Sequence, residues 1–153
     1  MIKHYHTILS IFFLIILFST LEVSGNNAEL LFKDNISSIE RLDLLKSLSD
    51  ERRQQGSPAS IKYELMGLTL AQELENKRYQ ADFHIRLGAS YTIRGDYEMA
   101  LTELLTSLKL YEELAFPKGI HASKIHMMSL YLHMKDYRKA GELGDHLVAT
   151  NRS

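Results

Sequence analysis

Cysteine is absent from the 153 residues of this chain. No disulfide framework can staple the fold, no thiolate can serve as a nucleophile, and the cysteine acceptor of a bacterial lipoprotein is missing. An excess of charge of one sign is lacking too, the formal net charge being −1. Bases are interleaved with acids, as in Asp50-Glu51-Arg52-Arg53, whereas a nucleic-acid partner calls for a basic face or stripe. No nucleic-acid partner is therefore expected. The longest apolar run, Ile8–Leu21, has 14 residues, short of the roughly 20 that a membrane-spanning helix needs. Nor does any segment alternate apolar and polar residues for long enough to make a strand, which points to an all-α fold.

What stands at the N terminus reads as a secretory signal peptide. Met1–Thr7 carries Lys3 and no acid, Ile8–Phe18 is apolar except for Ser10, and Val23-Ser24-Gly25 offers small residues to a signal peptidase. Residues 1–25 are expected to be cleaved, leaving a periplasmic or secreted chain; the alternative is a retained anchor, against which the short run argues. Cleavage removes one base, Lys3, and one acid, Glu22, so the charge stays at −1. Residues 26–37 read as a short linker, and residues 38–153 suffice for one domain.

That domain is punctuated into six helices. Ser37 and Glu40 are placed as a capping box before a helix over about Ser38–Gln54, with Ile39, Leu42, Leu45 and Leu48 at helical spacing. Gly56 ends it, and Ser57-Pro58 starts a second helix to about Glu75 whose buried stripe is read as Ile61, Leu65, Leu68 and Leu74. Asn76 caps Lys77–Arg94, Gly95 stops that helix, and Asp96 caps Tyr97–Leu114. Pro117 opens Pro117–Met134, and Asp136 caps Tyr137–Ala149.

The chain also repeats itself. Tyr91, Asp96, Tyr97 and Ala100 recur forty residues later as Tyr131, Asp136, Tyr137 and Ala140, and Leu65, Leu68, Leu70, Glu73 and Leu74 as Leu105, Leu108, Leu110, Glu113 and Leu114. A period in this range marks stacked helical hairpins. Leu87-Gly88, Tyr91, Gly95-Asp96-Tyr97, Ala100-Leu101 and the Leu108–Leu114 run resemble a tetratricopeptide repeat, in the extended form of about forty residues found in many exported bacterial proteins. The resemblance implies a right-handed superhelical stack of about three antiparallel helical hairpins, with Gly88 and Ala100 small at the helix crossing and Tyr91 and Tyr97 filling the space between hairpins. It covers about residues 38–150 and departs in places. Ser47-Leu48 and Glu51 stand where Leu87-Gly88 and Tyr91 do, making the first helix a degenerate repeat helix or a cap. In the last unit Met128, Gly144 and Leu147 stand for Gly88, Leu104 and Ser107, so the crossing must be repacked. That end has no polar capping helix in this reading, and association end to end with another copy, or fraying from Tyr137 onward, is expected.

Chemistry has little support. His84, His121, His126, His133 and His146 include no pair spaced to bind a metal from one helix, the acid pairs end solvated helices, and the serines lack a nucleophile elbow. No catalytic residue, metal site or cofactor is expected, and the chain is read as a non-enzyme. The resemblance places a concave, partner-binding face at Asp82, Ile85, Arg86, Ala89, Thr92 and Ile93 in one unit and at Ala122, Ile125, His126, Ser129, Leu132 and His133 in the next. This face lacks the paired Lys, Asn and Arg pattern with which some family members clamp a C-terminal carboxylate. An extended or helical peptide with an apolar anchor is the expected partner, although Ile85 and Ile125 also suit an ordinary core. The function expected is an exported protein- or peptide-binding scaffold; the alternative is the sensor domain of a bacterial histidine kinase or transcriptional regulator, truncated before its membrane helix and output domain.

Overall fold

A computed structural model describes residues 28–31, 33 and 35–150. The predicted leader lies outside the described residues. Six helices run from residue 38 onward: α1 (Ser38–Gln54), α2 (Ala59–Glu73), α3 (Lys77–Arg94), α4 (Tyr97–Glu113), α5 (Pro117–His133) and α6 (Tyr137–Thr150). The described residues contain no strand, and none of their helices is long and apolar enough to cross a membrane.

The described residues fall into two compact units, one up to residue 44 and one from residue 45 onward. In the first, the expected capping box is present: Glu40 N donates to Ser37 Oγ at 3.2 Å and Ser37 N to the Glu40 carboxylate at 2.7 Å. Ile39, counted among the packing residues of α1, is exposed there.

In the second unit, α2 packs on α3, α3 on α4, α4 on α5 and α5 on α6, while α3 also touches α5. This is the tetratricopeptide-like stack of antiparallel hairpins. The connections are short because each helix ends the same way. Gly56, Glu75, Gly95, Ala115 and Lys135 all have positive φ, and the next amide reaches back to close a Schellman motif, as in Asp96 N to Tyr91 O (3.0 Å), Phe116 N to Tyr111 O (3.0 Å) and Asp136 N to Tyr131 O (2.9 Å). Only two of the five are glycines, so sequence punctuation showed fewer than half of these stops.

Capping is mixed. Asn76 accepts from Tyr79 N at 3.2 Å and Asp136 from Lys139 N at 3.1 Å, as expected. Asp96 differs: its side chain makes no cap bond and pairs instead with Arg94 Nε at 3.2 Å.

The core follows the small and large residues at each crossing. A Cβ on Gly88 would stand 2.6 Å from Leu104 Cγ and 3.3 Å from Ala100 O, and Ala100 is fully buried. One unit on, the pair is exchanged: Met128 reaches over Gly144, leaving 3.6 Å to a Cβ built there. That is the repacking the substitution required. The stripe of α2 departs from expectation, since Leu65 (46%) and Leu74 (40%) are exposed while Ser60, Ile61, Glu64, Gly67 and Ala71 are buried. Helix α6 buries Ala140 and Leu147 and exposes Arg138, Glu142, Asp145 and His146. Its exposed side is mixed, since Tyr137 and Val148 are exposed beside those polar residues.

Candidate functional site

Helices α1, α3 and α5 line two adjoining cavities, of about 240 Å³ and 360 Å³, that share Arg53, Ala89 and His126. Together they make a groove. Of the residues assigned to the concave face, Asp82, Ile85, Arg86, Ala89, Ala122 and His126 line the smaller part, and Ala89, Thr92, Ile93, His126, Ser129 and His133 the larger.

Ile125 and Leu132 are not among the lining residues, and they are 41% and 48% exposed. Their counterparts explain why. Ile85 packs in a cluster with Ala81 and Tyr111, against Phe116, Ile120 and Ala122 of the following hairpin. Thr92 is buried and donates to Gly88 O at 2.7 Å. The positions of Ile125 and Leu132 thus belong to the stacking face of an inner helix, and Ile85 serves the core and the groove at once.

Charge in the groove is dense and paired. Arg53 and Arg86 both donate to Asp50 Oδ1, and Arg53 Nη1 also reaches Glu64 Oε1 at 3.1 Å and Arg86 O at 3.3 Å. Lys46 pairs with Asp82 at 3.4 Å and lies over the Tyr79 ring. The other oxygen of Asp82 accepts the Tyr111 hydroxyl. Burial, then this bond and the Asp82 charge, pushes the Tyr111 phenol up. His126 is held below the ordinary imidazole range, first by burial and then by the Arg53 and Arg86 charges. It is mainly a neutral donor and acceptor in the groove at pH 7.

Behind the groove lies Glu64, whose side chain is wholly buried. Oε1 accepts Ser90 Oγ at 2.8 Å as well as Arg53, while Oε2 has no hydrogen-bond partner among the described residues. Burial pushes the carboxyl up to about 7, against the pull of Ser90, Arg53 and Arg86. Lys46, Asp50, Arg53, Glu64 and Tyr111 were not foreseen. One signal was available: Lys46, Arg86 and His126 stand at one position of the forty-residue repeat, and all three line the groove. Among the described residues no cluster of histidines and carboxylates could hold a metal ion.

No family model matches the sequence, and no curated protein matches it. Among solved structures the chain is similar to the crystal structure of the TPR domain of Arabidopsis FLU, with a TM-score of 0.67, 20% sequence identity, and coverage of 76% of this chain and 98% of that one. The similarity is one of fold.

Proposed function

We propose that this chain is an exported, non-catalytic scaffold that binds an extended peptide or protein segment along the groove between α1, α3 and α5. The observation that carries the reading is the groove itself, in which apolar Ile85, Ala89, Ile93 and Ala122 lie among paired charges on three inner helices. Apolar pockets flanked by fixed polar groups are what a peptide side chain and its backbone need. A fold shared with a TPR domain supports the same reading. Export rests on the leader-like residues 1–25. Exposed Ile125 and Leu132, whose counterparts in α3 are buried, support association of that face with a partner or a second copy.

Site-specific crosslinking tests the site. A photoreactive residue at Ile93 should capture a partner that the same residue at Glu98, on the exposed outer side of α4, does not. Capture from Glu98 alone moves the site to the outer face. N-terminal sequencing of the exported product tests cleavage near Gly25, and a retained Met1 makes the leader an anchor.

A further inference from the structure

The two buried interfaces of the stack differ at several pairs of positions, and one of these exchanges an acid and a hydroxyl for hydrocarbon. Leu104 and Leu130 are fully buried partners in the main core cluster. Forty residues earlier the same positions hold Glu64 and Ser90, which are also buried and hydrogen-bonded to each other at 2.8 Å. One repeat on, leucine fills both equivalent places, and replacing buried charged groups by well-packed apolar residues is often neutral or stabilising. A carboxylate kept there, with one oxygen unpartnered, marks a local rule broken for a use.

Arg53 shows the use. It lines both cavities of the groove and a third, of about 300 Å³, bordered by Ser60 and Ser90, and it is the groove cation that bonds Glu64 directly. Ser60 and Ser90 stand 3.4 Å apart beside the acid. The charged and titratable groups that face Glu64 are Asp50 and Arg53 from α1 and Arg86 and Tyr91 from α3. Around the groove the cations Lys46, Arg53 and Arg86 exceed Asp50 and Asp82 by one. An ionised Glu64 cancels that surplus; a protonated one leaves it.

We propose that Glu64 is a proton-linked gate on the groove: an acidic side chain of a bound peptide takes Arg53, and Glu64 takes up a proton from solvent in exchange. The inference rests on the peptide-groove reading and adds the chemistry of the peptide. An anion drawing Arg53 away removes the nearest positive charge from Glu64 and raises its proton affinity, so by linkage acidic peptide binds more tightly as pH falls through the neutral range. The position of Glu64 near 7 makes this exchange available without extremes of pH.

Calorimetry on the full chain tests it, using a capped peptide of alternating Leu and Glu and its Leu and Gln twin. The Glu peptide should bind about fivefold more tightly at pH 6 than at pH 8, as a one-unit upward shift of Glu64 from about 7 requires, and buffers of different ionisation enthalpy should report proton uptake. Glu64→Gln should bind the Glu peptide tightly at both pH values without that uptake. Equal binding of the two peptides with no proton uptake overturns the gate and leaves the groove standing. Binding of neither peptide overturns both. Proton uptake that survives in Glu64→Gln assigns the effect to His126 and also overturns the gate. Carbon-13 titration of the Glu64 carboxyl in the unaltered chain keeps the test open if the variant fails to fold: its midpoint should rise on saturation with the Glu peptide, and an unmoved midpoint refutes the exchange.

Discussion

The ring of Phe83 lies against Gly67 so closely that a Cβ on the glycine would collide with it. Phe83 is fully buried, and no flexible chain end is available to give way. One repeat later the same two positions hold Ser107 and Ser123, hydrogen-bonded to each other at 3.1 Å. Glycine with phenylalanine and serine with serine are two ways of filling one gap.

Gly67→Ala should therefore destabilise the chain by about 1–3 kcal/mol, as overpacking does. Gly141→Ala, in a helix and with nothing within 4 Å of the added carbon, should stabilise it by about 1 kcal/mol. Denaturant midpoints of the two variants should move in opposite directions.

At the crossing of α3 and α4, Ala100→Leu should cost about 1–3 kcal/mol, because Ala100 is fully buried and its carbonyl lies against Gly88. Glu98→Leu, on an exposed position two residues away, should change stability by less than about 0.5 kcal/mol. Equal losses in thermal unfolding would mean that the crossing tolerates expansion.

The left-handed residues that are not glycine offer a stabilising change. Ala115 (φ 45°) and Lys135 (φ 59°) hold a conformation that costs an L-residue roughly 1–2 kcal/mol. Ala115→Gly and Lys135→Gly should each raise stability by about 1 kcal/mol, less the entropy glycine adds to the unfolded chain, while Gly95→Ala should lower it. Urea titration of the three variants decides the sign.

Glu64 gives stability a pH dependence of known sign. Its carboxyl binds a proton more tightly folded, at about 7, than in its ordinary range near 4.5. The protonated form's contribution is complete below about 4.5 and is lost as pH rises through about 7. Relative to Glu64→Gln, the unaltered chain should lose on the order of 2–3 kcal/mol over that interval. Parallel stability profiles for the two proteins would contradict this.

The helices were legible because their ends carry chemistry: the Ser37 and Glu40 box, Asn76, Gly95 and Asp136 act as their residue types suggest. The buried face of α2 was not. Leu65 and Leu74 look like core, but the space on that face is filled from across the interface, by Phe83 over Gly67 and by a carboxyl bonded to Ser90. Periodicity reads one helix at a time and cannot see a gap filled by its neighbour. The groove was legible on α3 and α5, where the repeat motif is intact, and missed on α1. There Ser47, Leu48 and Glu51 break the packing positions while Lys46 keeps its place in the basic row with Arg86 and His126.

The crossings and interfaces exchange bulk in pairs: Gly88 under Leu104 becomes Met128 over Gly144, Phe83 over Gly67 becomes two serines, and Glu64 with Ser90 becomes Leu104 with Leu130. Each junction thus carries its own lock and key. A hairpin moved one place along the stack would bring phenylalanine against serine or a carboxyl against leucine, so the repeated hairpins are not interchangeable in packing. The same substitutions that blur the forty-residue periodicity in the sequence thereby disfavour a slipped order of hairpins.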